Sequence, residues 1–266
     1  MTAQLEYWRE QLSEPLPVMR LAVAPPIQTI DTFRTARRDF TLSASLSEAV
    51  KLFSVQEGGT LFMTLVAALK MVLQHYLGQD DLRVATLVAN RNHPGTDRLV
   101  GPLANTVILR TNFGGNPTVR EVMRRVRSTT LAAFAHQDLP FEELLDTLKR
   151  ERDLKRLELA QVMIALHNST LWARVNCQHG RTIEEANSDI LGGLVGRTTF
   201  DLSLTLRDGS DAMTGCCIYK PYLFEARNID RFIQDFQEVL QHMVTQPERP
   251  VLEICVSLGG KRSTNA

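Results

Sequence analysis

The spacing of apolar residues divides the chain into helical and extended stretches. Leu61, Leu65, Ala68, Leu69, Val72 and Leu73 recur at helical intervals, with Phe62, Met63, Val66 and Met71 between them. This predicts a helix over 61–77 that is buried almost all round. Thr60 stands at its N-cap position, and the helix before it has Ser43 or Ser45 as cap and the flexible Gly58-Gly59 pair at its end. Alternation predicts a strand over Arg34–Leu42, while the runs Leu82–Ala89 and Val107–Phe113 read as core strands. Gln161–Leu166 reads as a buried strand, and Thr199–Leu206 and Thr214–Tyr219 as alternating strands with a turn at Asp208-Gly209. The adjacent Cys216 and Cys217 would then point to opposite faces of the sheet. Asn116-Pro117-Thr118 opens an amphipathic helix through Ala135, and a final helix runs from about Asn228 to Thr245. Near the N-terminus a short helix over 4–13 meets Pro15, Pro17, Pro25 and Pro26, which remove donors and cannot continue it. No internal repeat or low-complexity tract interrupts this order.

Polar residues concentrate most densely in His136-Gln137-Asp138-Leu139-Pro140-Phe141-Glu142. One reading is local: Pro140 is tolerated in a first helical turn and Asp138 can cap the amides of a helix over Phe141–Leu148. The other is a specified site, because an imidazole, two carboxylates and an amide lie within seven residues. A second polar cluster, Asn90-Arg91-Asn92-His93, follows a core strand, and the ends of elements are where a scaffold presents polar groups to a ligand. Arg120, Arg124, Arg125 and Arg127 lie on one amphipathic helix and read either as a solvated face or as a patch for an acidic partner.

Composition narrows the classes. A length of 266 residues that are 44% hydrophobic supports a substantial core, in one large domain or two small ones. Thirty basic residues balance thirty acidic ones, so no global field draws the chain to nucleic acid or an anionic membrane. Cys177, Cys216, Cys217 and Cys255 are sparse and unpatterned, which reads as reduced thiols in a cytoplasmic protein. The N-terminus has neither a basic nor an apolar leader region, and no apolar run reaches the length of about 18 residues that a membrane span needs. The expectation is a protein neither exported nor membrane-embedded.

Several chemistries find no support. No Gly-x-Ser-x-Gly elbow is present, which disfavours a serine hydrolase. Gly192-Gly193-Leu194-Val195-Gly196-Arg197 has glycines too closely spaced for a phosphate loop, and arginine where lysine is required, so it reads as a mobile loop. Cys177-Gln178-His179 lacks a second pair at zinc spacing, so no metal site is expected. His75, His167 and His242 sit in or beside core elements and read as satisfied hydrogen-bonding residues.

Taken in order, the remaining motifs resemble those of the condensation domains of nonribosomal peptide synthetases. Tyr7-Trp8-Arg9-Glu10-Gln11-Leu12 resembles the Tyr-Trp motif from the middle of such domains. Val88-Ala89-Asn90-Arg91-Asn92-His93, with Gly101 and Asn105-Thr106 after it, is similar to the next, and His136 to Glu142 matches the following one almost letter for letter. Arg152-Asp153-Leu154-Lys155-Arg156 to Met163 is similar to the last, and Phe200-Asp201-Leu202-Ser203-Leu204 to a strand common near the end of these domains. The likeness covers about residues 5–254. The chain departs from it at Pro102-Leu103-Ala104, where Phe-Phe-Val is usual, and at Lys155 and Leu157-Glu158-Leu159-Ala160, where Ser and Pro-Leu-Phe are usual.

The resemblance implies a chloramphenicol-acetyltransferase-like α/β lobe, with a mixed sheet and helices packed on one face. It places a short helix and proline-rich arm at 1–30, a C-terminal condensation lobe at 31–258 and a disordered tail at 259–266. The family's general-base histidine lies in a His-His-x-x-x-Asp-Gly motif of the first lobe, and this chain contains no His-His pair. The chain thus resembles the second lobe alone, with no catalytic residue assigned and no turnover expected in isolation. Arg91 is the candidate to pair with the first-lobe aspartate, since a guanidinium binds a carboxylate through two parallel hydrogen bonds. Asn90, Asn105, His136 and Asp138 are expected to organise the interlobe side or tunnel, and Arg120, Arg124, Arg125 and Arg127 to meet a partner. No cofactor is expected to bind directly; phosphopantetheine would arrive on a peptidyl or aminoacyl carrier protein. The further partners implied are the missing first lobe, or a second copy in its place. The alternative is a noncatalytic platform for a carrier protein or a tailoring enzyme.

Overall fold

The structure, a computed structural model, describes residues 2–13, 16, 19, 21, 35–92, 94–99, 101, 103–152, 159–168 and 200–260. Most of the proline-rich arm, His93, Pro102, the stretch 153–158, Cys177-Gln178-His179, the Gly192–Thr199 loop and the tail from 261 lie outside the described residues.

Six strands form one mixed sheet: β1 (Ala36–Thr41), β2 (Asp81–Val88), β3 (Asn105–Asn112), β4 (Val162–Asn168), β5 (Leu202–Asp208) and β6 (Thr214–Tyr219), in the order β1-β6-β5-β4-β2-β3. The β2–β4 and β4–β5 pairs are parallel and the others antiparallel. Register assigns Val162, Ile164 and Leu166 to the same face as Leu202, Leu204 and Leu206, with Tyr219, Cys217 and Gly215 continuing it. Phe40 lies opposite Gly215 on that face, where a Cβ would collide with the phenyl ring. The period of two thus puts Cys217 on the helix-covered face and Cys216 on the other, as the sequence predicts.

Helix α3 (Leu61–Leu77) is the hub of the helical layer. Every residue from Met63 to Leu73 is buried, because the sheet lies under it while α2 (Ala44–Gln56), α4 (Val119–Ala135), α6 (Ala226–Thr245) and α7 (Val251–Gly260) pack around it. Two caps are those the sequence suggests, the Ser43 and Thr60 hydroxyls accepting from the amides of Leu46 and Met63, and at the start of α4 the Thr118 hydroxyl accepts from the Glu121 amide. Ser43, rather than Ser45, takes the first of these positions.

Two features were not predicted. Helix α7 follows α6 after a short turn; its amides at Val251 and Leu252 are taken by the Pro117 carbonyl and the Asn116 side chain, so tertiary contacts start it. Its exposed face carries Leu252 and Val256, so no amphipathic signal announces it. The sheet edges also differ. β1 ends the sheet with exposed Arg37, Arg38 and Asp39, charges that discourage a further strand. At the β3 edge, α1 (Thr2–Gln11) docks instead: Arg110 donates to the Gln11 and Ser13 carbonyls while Gln11 donates to the Arg110 carbonyl.

Candidate functional site

The two polar clusters meet at one end of the sheet. β2 leaves the sheet at Val88, which pairs with Asn105 at the start of β3, so the 89–104 connection departs where the turn between α4 and α5 (Phe141–Arg152) docks.

Asn105 joins these parts. Its amide nitrogen donates to the carbonyls of Gln137 and Leu139, both at 2.8 Å, and its oxygen accepts from the amides of Phe141 and Thr106, both at 2.9 Å. Four bonds at a side chain only 8% exposed satisfy its whole donor set and fix the turn against β3. The first amide of α5 is therefore taken by Asn105, a residue 36 positions away. The Asp138 carboxylate, expected from sequence to cap α5, accepts from Gln4 at 3.0 Å, and the Gln4 side-chain oxygen in turn accepts from the Leu139 amide at 2.8 Å.

Helix α1 holds the turn from its other side. The buried Trp8 indole donates to the His136 carbonyl at 2.8 Å, and the Tyr7 ring stacks on the His136 imidazole at 4.0 Å and 8°. His136 closes α4, and its Nδ1 lies 2.8 Å from the Ala132 carbonyl. Burial pushes the Tyr7 hydroxyl up to about 12, so it stays protonated.

The Asn90–Arg91 cluster is different in kind. Asn90 has a positive φ of 51°, a conformation asparagine tolerates, and it redirects the chain out of β2. Arg91 is exposed and folds back onto its own connection, donating to the carbonyls of Thr96 and Leu99.

Three of the four α4 arginines are engaged by carboxylates. Arg120 bridges Glu57 and Glu248, while Arg124 and Arg125 share Glu121, whose carboxyl their hydrogen bonds hold down to about 2. Arg125 also donates to the carbonyls of Asn112 and Gly114. Arg127 is exposed and makes no ion pair among the described residues. The four thus form a mostly paired face on which, among the described residues, Arg127 alone has no carboxylate partner.

The sequence reading missed the roles of Gln4 and Lys70. Lys70, the single charged residue inside α3, is fully buried and donates to Thr111 at 2.6 Å, and burial lowers its pKa to about 7. A lysine within an apolar helix was the available signal. Gln4 left none, since its partners are 134 and 135 positions away. His167, in β4, is held low by burial and by Arg207 beside it. Among the described residues no group of acidic, histidine or cysteine side chains is arranged to hold a metal, and no single helix is long and apolar enough to cross a membrane.

Comparison with known proteins agrees with the order of the motifs. Residues 1–258 match the sequence model of the condensation domain. The chain is 34% identical over 258 residues to malpinin synthetase of Mortierella alpina, covering 94% of this chain and 3% of that protein. Against surfactin synthase subunit 1 of Bacillus subtilis it is 31% identical over 247 residues, covering 93% and 7%. Among solved structures it superposes on the X-domain from teicoplanin biosynthesis with a TM-score of 0.76 at 20% identity, over 94% of this chain and 56% of that one. For the condensation domain of the Monacolin K polyketide synthase the TM-score is 0.75 at 17% identity, over 94% and 58%. The chain therefore spans a small part of these synthetases and a little over half of each solved domain.

Proposed function

The chain belongs to the condensation-domain family, and on that premise we propose that it is the C-terminal, acceptor-side lobe of such a domain, inactive until a first lobe completes it. The observation that carries this reading is the coverage: nearly all of this chain accounts for only 56–58% of the two solved domains. The absence of a His-His pair from the sequence agrees with it. In the completed unit the amine of a carrier-bound aminoacyl thioester attacks the carbonyl of a carrier-bound acyl thioester. A C–N bond forms, the C–S bond breaks, the carrier thiol leaves and the amine gives up a proton. The base for that proton belongs to the other lobe on this reading. Arg91 supplies a guanidinium to the first-lobe aspartate, exchanging its carbonyl contacts for a charge-assisted pair. Phosphopantetheine reaches the site on the carrier protein, and the assembly works in the cytoplasm.

Complementation tests the proposal. The purified chain is mixed with a separately produced first lobe from a relative, and amide product is followed from amine and thioester donors. Product only from the mixture is the expected outcome. Product from the chain alone, abolished by His136→Ala, would overturn it, as would a stable association without product.

A second reading, a noncatalytic platform for a carrier protein or tailoring enzyme, is favoured by one observation. Arg127 is exposed and without an ion pair among the described residues, beside the paired Arg120, Arg124 and Arg125. Binding of an acidic carrier that weakens with salt and is lost on Arg127→Glu would support it; a titration indifferent to Arg127 would sink it.

A further inference from the structure

Within the His136–Phe141 turn many polar groups are spent on the fold, while the second ring nitrogen of His136 makes no hydrogen bond among the described residues. The partner of His136 Nδ1 is the backbone carbonyl of Ala132, and a carbonyl oxygen only accepts, so Nδ1 must carry the proton. In the neutral ring the lone pair then resides on Nε2. The ring is half-buried, and its Nδ1 contact is its one hydrogen bond among the described residues. This partial burial leaves Nε2 available. Three restraints hold this orientation: the Ala132 carbonyl at the ring edge, the Tyr7 face at 4.0 Å, and the Trp8 indole on the His136 carbonyl.

We infer that His136 is a presented hydrogen-bond acceptor, fixed as the Nδ1–H tautomer with Nε2 open to a ligand, and that Tyr7 is its positioning residue. The chemistry selects the ligand class. A neutral Nε2 accepts and does not donate. Phosphate or carboxylate groups are therefore poor partners and an N–H donor is a good one. Resting on the carrier-dependent reading above, the donor is an amide N–H of a pantetheine arm. Tyr7 acts through the stack, which sets the tilt of the ring, and makes no contact with the ligand.

Nitrogen NMR of the full chain labelled with 15N-histidine, at a pH where the ring is neutral, tests both parts. The expected His136 signature is a protonated Nδ1 and an unprotonated Nε2, with the Nε2 resonance moving on addition of pantetheine and not on addition of inorganic phosphate. Tyr7→Phe keeps the stack and both results. Tyr7→Leu yields an averaged tautomer and loses the pantetheine shift, while tryptophan fluorescence confirms that the chain remains folded. An Nε2–H tautomer in the parent protein, or no response to pantetheine up to its solubility limit, overturns the site. A Tyr7→Leu spectrum identical to the parent's overturns the positioning role. None of these readouts requires turnover, so failure of the complementation assay leaves them interpretable.

Discussion

The turn at 136–141 and the connection at 89–104 leave the same end of the sheet, yet they use their polar groups in opposite ways. In the turn, Asn105 satisfies backbone groups 32–36 positions away, and Trp8 and Gln4 satisfy backbone groups 128 and 135 positions away, inside a mostly buried junction. In the connection, Arg91 satisfies carbonyls five and eight residues away and remains exposed. A polar residue enclosed by long-range partners is scaffold, because each lost bond leaves a buried group unpaired. One that rests on its own loop in water is available, because exchanging those bonds for a partner's costs little.

Mutation sharpens the contrast. Trp8→Ala removes a 2% exposed indole together with its bond to the His136 carbonyl, and is expected to cost about 3–5 kcal/mol in urea unfolding. Asn105→Ala leaves the Phe141 amide and two carbonyls without their partner and is expected to cost about 2–3 kcal/mol. A loss below about 1 kcal/mol would show that water replaces Asn105 and that the turn is not locked.

Lys70 supplies a pH test of the core beneath both regions. Its folded pKa of about 7 lies below the ordinary 10.5, so between these values the unfolded chain holds a proton that the folded chain has released. Stability from this group therefore rises with pH across that window, by up to about 1.4 kcal/mol per unit, and its full penalty is felt below the window. Lys70→Met is expected to remove the slope and to be more stable than the parent near neutral pH, as measured by denaturant titration at several pH values. The smallest expected effect is at Arg91. Arg91→Ala should change stability by no more than about 0.5 kcal/mol, while lowering product formation in the complemented assembly. A destabilisation as large as that of Asn105→Ala would erase the distinction between the two regions.

Much of the fold was legible in the sequence, because it rests on local signals. The periodic apolar positions of α3, the hydroxyl caps at Ser43 and Thr60 and the alternation of β5 and β6 depend on neighbours a few residues apart. Helix α7 was not legible, because its first amides find acceptors at Asn116 and Pro117. The candidate residues Asn90, Arg91, Asn105, His136 and Asp138 were marked by motif order, but nothing local ranked them. His136 and Arg91 look equally like site residues until the Ala132 carbonyl, the Tyr7 ring and the Thr96 carbonyl are in place around them.

By itself the sequence determined the family, the order of strands and of the helices up to α6, and the absence of a His-His pair, since each is carried by residues close together along the chain. Only the tertiary structure decided that Asn105 opens α5, that Gln4 meets Asp138, and that the His136 Nδ1 meets the Ala132 carbonyl. Those assignments depend on which atoms the sheet brings within about 3 Å, and hydrogen bonds act only over that distance.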